Sequence, residues 1–193
     1  MCCGGFFSPQ TAVLMVRMLQ RAAPSSTITQ EATMVSQHLA IYLNDHLAGS
    51  EGALELLGHL AEVERDTPFG PQLLRLKSEI ELERNELEQL MERLQVSQQK
   101  SRQVVAWLAE KVAGVKLYLD DRAEGEMRLF EALEVLLLGL TGQNAMWRVL
   151  AEELTATPEL RGPDYERLIA QTEEQLQRVR AMHLAASKAA FAV

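Results

Sequence analysis

With 193 residues, 47% of them apolar and 24% charged, the chain has enough material for one domain with a sizeable core. Its net charge of −8 argues against nonspecific binding to nucleic acid or to an anionic membrane, since both need Lys and Arg to meet phosphates. The only cysteines, Cys2 and Cys3, are adjacent and cannot staple a fold, so the expected setting is cytoplasmic, with stability drawn from the core.

Residues 1–33 read as a leader, disordered or weakly helical. Residues 1–30 contain Arg17 and Arg21 but no Asp or Glu. They lack a basic n-region and Arg17 splits their apolar run, which speaks against a secretory signal. The Arg/Ser composition is compatible with a mitochondrial-type leader, but a disordered extension or an upstream start codon is the preferred reading. No run of about 18 uninterrupted apolar residues follows, so stable membrane insertion is not expected.

Residues 34–193 read as a single all-helical domain. Ser36 is the expected cap of a long first helix ending near Arg65. Its inward stripe would be Leu39, Leu43, His46, Ser50, Ala53, Leu57 and Leu60, with His46, Gly49 and Ser50 interrupting the apolar pattern. The small residues Gly49, Ser50 and Gly52 suggest a close approach of two helices. Thr67 before Pro68 predicts the cap of a second helix, from about Gln72 to Gln95. Leu73, Leu76, Ile80, Glu83, Leu87, Leu90 and Leu94 form its stripe, again interrupted by one polar residue. The short connection makes these two helices an antiparallel hairpin.

A polar stretch then leads to a short amphipathic helix at 103–119 and a charged turn. The third long helix, MRLFEALEVLLLGLTGQNAMWRVLAEEL, is apolar on nearly every side, and Gly139 and Gly142 are a plausible bend. The fourth runs from about Asp164 to Ala190, with Tyr165, Leu168, Thr172, Leu176, Val179 and His183 inward. Two hairpins joined by a long connection form the arrangement of a ferritin-like four-helix bundle, the crossover retracing the bundle's length. A five-helix bundle with 103–119 as a full member is the alternative.

The strings YLNDHLAGSEGALELL, TPFG, EIELERNELEQLM, WLAEKVAGVKLYL and LEVLLLGLTGQNAMWRVL, spread over residues 36–185, resemble an uncharacterised family of small bacterial ferritin-like helical-bundle proteins. The resemblance implies the fold; it implies no activity and no catalytic residues.

Di-iron carboxylate bundles use a Glu from each of two helices and a Glu-x-x-His from each of the other two. The four histidines here, His38, His46, His59 and His183, are preceded at that spacing by Val35, Leu43, Leu56 and Arg180. The standard motif is therefore absent, and the second and third long helices contain no histidine. A looser set, His46, Glu83, Glu131 and Glu134, is the only candidate metal site, and a structural reading is preferred for each member. Glu83 would pair with His46 or with an Arg, fixing helix register. Glu131 and Glu134, three apart on one helix face, would pair with Arg128 or a neighbouring helix. The EIELERNELEQLMER run reads as a solvated face, with Arg84 near Glu79 and Arg93 offsetting Glu88 and Glu92. Trp107, Trp147 and Tyr118 read as core or groove anchors.

These readings favour a non-catalytic structural or interaction protein with no cofactor, its partner a second copy of the chain or a partner helix. The apolar surplus of LEVLLLGL supports a second neighbour for the third helix. The alternatives are an iron- or manganese-binding oxidase or storage relative with a non-standard ligand set, and a small apolar-ligand binder with a pocket near Gly139 and Gly142.

Overall fold

Leucine-rich stripes at helical spacing dominate this chain, and a computed structural model shows them as helices. It describes residues 26–98 and 125–192, with side chains from residue 37 onward. The elements are α1 (Ser26–Val63), α2 (Gly70–Arg93), α3 (Gly125–Glu152) and α4 (Tyr165–Ala190). Two single-turn 3-10 segments, Glu153–Thr155 and Pro158–Leu160, lie between α3 and α4, and the described residues contain no strand. Two compact units divide at Leu39 and Ala40. The first is helical from Ser26 onward, and the second, Ala40–Val193, holds the core.

Helix starts are the main departures from expectation. α1 begins at Ser26, so Ser36 lies inside the helix rather than capping it. Thr67 does not cap α2 either: its hydroxyl donates to the Glu64 carboxylate (2.8 Å) and accepts the Phe69 N–H (3.2 Å), stabilising the turn. Phe69 occupies the cap position without a side-chain bond, and proline falls in the first turn. The chain turns so tightly that a Cβ on Gly70 would lie 2.6 Å from the Glu64 carbonyl oxygen, which requires glycine. α4 starts as predicted, Asp164 accepting the Arg167 N–H at 3.0 Å.

At the other end of α2, Gln95 adopts φ 55°, in the left-handed region. Gln95 N–H reaches the Glu92 carbonyl (3.0 Å) and Val96 N–H the Met91 carbonyl (2.9 Å), the paired bonds of a Schellman turn. Asn44 of α1 donates to the Ser97 carbonyl at 3.2 Å, holding the chain just past that turn.

Cross-helix pairs fix the directions. On α1 and α2, Glu51 meets Arg84 and Gly58 faces Lys77, so the numbering runs oppositely. On α3 and α4, Arg148 meets Glu173 and Glu134 meets His183, again oppositely. α2 is also antiparallel to α4, through Glu79 with Arg178 and Glu86 with Arg167. Being antiparallel to the same helix, α2 and α3 point the same way. The predicted helix at 103–119, with Trp107 and Tyr118, lies outside the described residues.

All four helices contribute to one apolar cluster, with Leu57 and Leu60, Leu76 and Ile80, Leu133 and Leu136, and Val179 and Met182 at its centre. α3 is unbroken through Gly139 and Gly142. Neither a Gly139 nor a Gly49 Cβ would meet a neighbour within 4 Å, so these glycines do not mark close helix approach. Trp147 is fully buried beside Tyr165, whose hydroxyl donates to the Leu160 carbonyl at 2.6 Å and secures the turn before α4.

Candidate functional site

The stripe of α2 points Glu83 inward between Ile80 and Leu87, and the carboxylate is only 1% exposed. Both oxygens are used. Gln175 of α4 donates its amide to Oε1 at 2.7 Å, and Gln143 of α3 donates to Oε2 at 2.6 Å. Neither the expected His46 nor an arginine is its partner. At this level α3 and α4 supply neutral amide donors, while Arg167 and Arg178 of α4 pair with Glu86 and Glu79 instead. Burial pushes the Glu83 carboxyl up to about 7, with the Glu79 charge adding to the rise. The bond from Gln175, the Arg167 charge and the bond from Gln143 act in the opposite direction.

More polar atoms line the same interior. Thr172, three residues before Gln175, is fully buried and donates to the Leu168 carbonyl at 2.6 Å. Among the described residues, Gln175 Oε1 and Trp147 Nε1 are buried without a hydrogen-bond partner. Each is a cost to the fold unless a donor or acceptor reaches it.

The remaining sequence candidates fall elsewhere. His46 is half-buried against Gly142 and sits edge-on to Tyr42, their ring centroids 4.7 Å apart. Burial lowers its pKa, and neighbouring Asp45 opposes that shift. Glu131 and Glu134 are exposed on the outer face of α3. Glu134 Oε1 lies 3.3 Å from His183 Nε2, and the His183 ring stacks on Phe130. Among the described residues no three His, Cys, Asp or Glu side chains are gathered as a metal-holding group. The set His46, Glu83, Glu131 and Glu134 is therefore not brought together, because one member faces the core and two face solvent.

The EIELERNELEQLMER face is also less solvated than expected. Arg84 pairs with Glu88 (2.8 Å) and with Glu51 of α1 (3.4 Å) rather than with Glu79. Glu79 is held by Arg75 and Arg178; these bonds and charges bring its pKa below the usual carboxylate value even though burial works the other way. Arg93 packs over Gly162, whose φ is +135°, and a Cβ there would lie 2.7 Å from the guanidinium. Gln143 and Gln175 are the functional residues that sequence reading missed. A buried carboxylate demands donors, and inward-facing glutamines were the available signal.

The clefts are shallow and polar-rimmed. One of about 390 Å³ lies between α3 and α4, lined by Thr141, Asn144, Glu173, Leu176, Gln177 and Arg180. Another of about 510 Å³ follows α2 past Asn85, Glu88 and Glu92. The first is lined by Thr141 and Asn144, on either side of Gly142, near where an apolar pocket was expected, but most of its lining side chains are polar. Leu138 of α3 is 75% exposed, and Val149 and Met127 on the same helix also reach solvent. No helix among the described residues is long and apolar enough to cross a membrane.

No family model, curated protein or solved structure matches the chain. Chemically, this carboxylate is buried and accepts one amide N–H at each oxygen. It can tie α2 to α3 and α4, and it can exchange a proton.

Proposed function

We propose that this chain is a non-catalytic helical scaffold, a cytoplasmic bundle of ferritin-like connectivity that binds a second copy of itself or a partner helix. The observation that carries this reading is the Glu83 centre. Where di-iron bundles gather carboxylates and imidazoles from four helices, this bundle sets one carboxylate between two glutamine amides. Each oxygen accepts one amide N–H, which ties α2 to α3 and α4, and among the described residues no three His, Cys, Asp or Glu side chains gather to hold an ion. Among the described residues the metal-binding alternative has Glu83 as its only deeply buried acid, and for the apolar-ligand alternative the cleft bordered by Leu76, Val179 and Met182 holds only about 120 Å³.

Ferritin-like connectivity is supported by the shared direction of α2 and α3, each antiparallel to α4. An interaction role is supported by the outer face of α3, where Leu138, Val149 and Met127 are exposed. Light scattering of the purified full chain, paired with Leu138→Glu, tests it. The expected result is a mass of twice the 21.6 kDa chain, reverting to monomer in the variant with its helical spectrum unchanged. A strict monomer at high concentration that also retains no partner helix on Leu138 counts against the reading, as does stoichiometric iron or manganese lost on Glu83→Gln.

A further inference from the structure

We propose that Glu83 is a proton-responsive latch between the two helical hairpins, closing when its carboxylate takes up a proton and loosening when it gives one up. This goes beyond the scaffold reading and does not depend on what the bundle binds.

Three observations carry it. The carboxylate belongs to the α1–α2 hairpin, yet both its donors, Gln143 and Gln175, come from the α3–α4 hairpin. Its ionisation state therefore acts at the joint between the hairpins. Among the described residues no cation is hydrogen-bonded to it: its donors are neutral amides, which leave the ionised form with a full charge 1% exposed. Gln175 Oε1, a buried acceptor in the same cluster, has no donor among the described residues. A proton on Glu83 removes the charge and adds one donor to a cluster that is short of one.

The charged surroundings act as follows. On α2, Glu79 lies one turn away and repels the ionised form. On α4, Arg167 favours the ionised form but is bonded to Glu86, and Arg178 is bonded to Glu79. α3 presents the neutral Gln143 amide. On α1, His46 lies against Gly142, next to Gln143, and Glu51 is engaged by Arg84. His46 has the opposite sign: burial favours its neutral form, so its contribution is lost as pH falls.

The sign for Glu83 follows from burial favouring its neutral form. Its contribution is full below the ordinary value of 4.5 and is lost as pH rises through about 7. Thermal unfolding of the full chain and of Glu83→Gln, from pH 5.5 to pH 8, tests the latch. The difference between the two proteins cancels His46 and every other group they share. Wild-type Tm should fall by about 4–8 °C relative to the variant over this range. A difference that stays flat across the range overturns the proposal. A carbon NMR titration of the Glu83 carboxyl in the wild-type chain decides the matter even if the variant does not fold. A midpoint near neutrality supports the latch, and one in the ordinary range below 5 overturns it.

Discussion

The two halves of the second unit's interior are built on different chemistry. Around Leu57, Leu60, Leu76, Leu133 and Leu136 the four helices meet through aliphatic side chains alone. One or two turns away, Glu83, Gln143, Thr172 and Gln175 place hydrogen-bonding groups among the same helices. Apolar packing is strong but nondirectional, so many registers of four leucine stripes are nearly as good as one another. A carboxylate that must find two donors on two other helices is satisfied in only one register. The aliphatic half supplies most of the stability, and the polar half selects one arrangement at the cost of sensitivity to pH.

That division can be broken at either end. The largest effect is expected in the aliphatic half. Leu133→Ala, at a fully buried position, should cost about 3 kcal/mol by denaturant unfolding, the same at pH 5.5 and pH 8. A pH-dependent cost would mean the two halves are coupled. Next is the wild-type response itself. Raising Glu83 from 4.5 to about 7 corresponds to about 3 kcal/mol of stability lost between about pH 4 and pH 8, about 2 kcal/mol of it above about pH 5.5, in unfolding measured across that range. Gln175→Leu sharpens the comparison, since it removes one donor from the carboxylate. It should cost about 2 kcal/mol at pH 8, where the acid is ionised, and less at pH 5.5. Smaller and opposite in sign is Gln95→Gly, which relieves a left-handed residue at the end of α2 and should stabilise by about 1 kcal/mol at every pH. Arg148→Ala breaks only exposed contacts, with Glu173 and with Asn144 Oδ1, and should change unfolding free energy by about 0.5 kcal/mol or less.

Sequence periodicity was a good guide where a helix has one dry face. On α2 the expected inward residues from Leu73 to Leu90 are all buried, and on α4 so are those from Tyr165 to Val179. It failed on α3 because LEVLLLGL is apolar in every direction, so nothing in the pattern tells Leu133, fully buried, from Leu138, which faces water. For the same reason Glu131 and Glu134 looked like intruders in a core, although they lie on the outer face. The start of α1 was hidden by Ser and Thr, residues that often stop or cap helices but here lie within one. Glu83 was legible as a break in its stripe. Its partners were not, because glutamine is at home on any helix surface and long-range pairing leaves no mark in local spacing.

Asn44 grips the Ser97 carbonyl from a position on α1 only 7% exposed. The tail of α2 is thereby moored to the helix that precedes it, independently of the peptide bonds that follow. A backbone cut introduced after Gln98 should leave that end seated, which makes this point of the chain suited to splitting the protein into two fragments that reassemble.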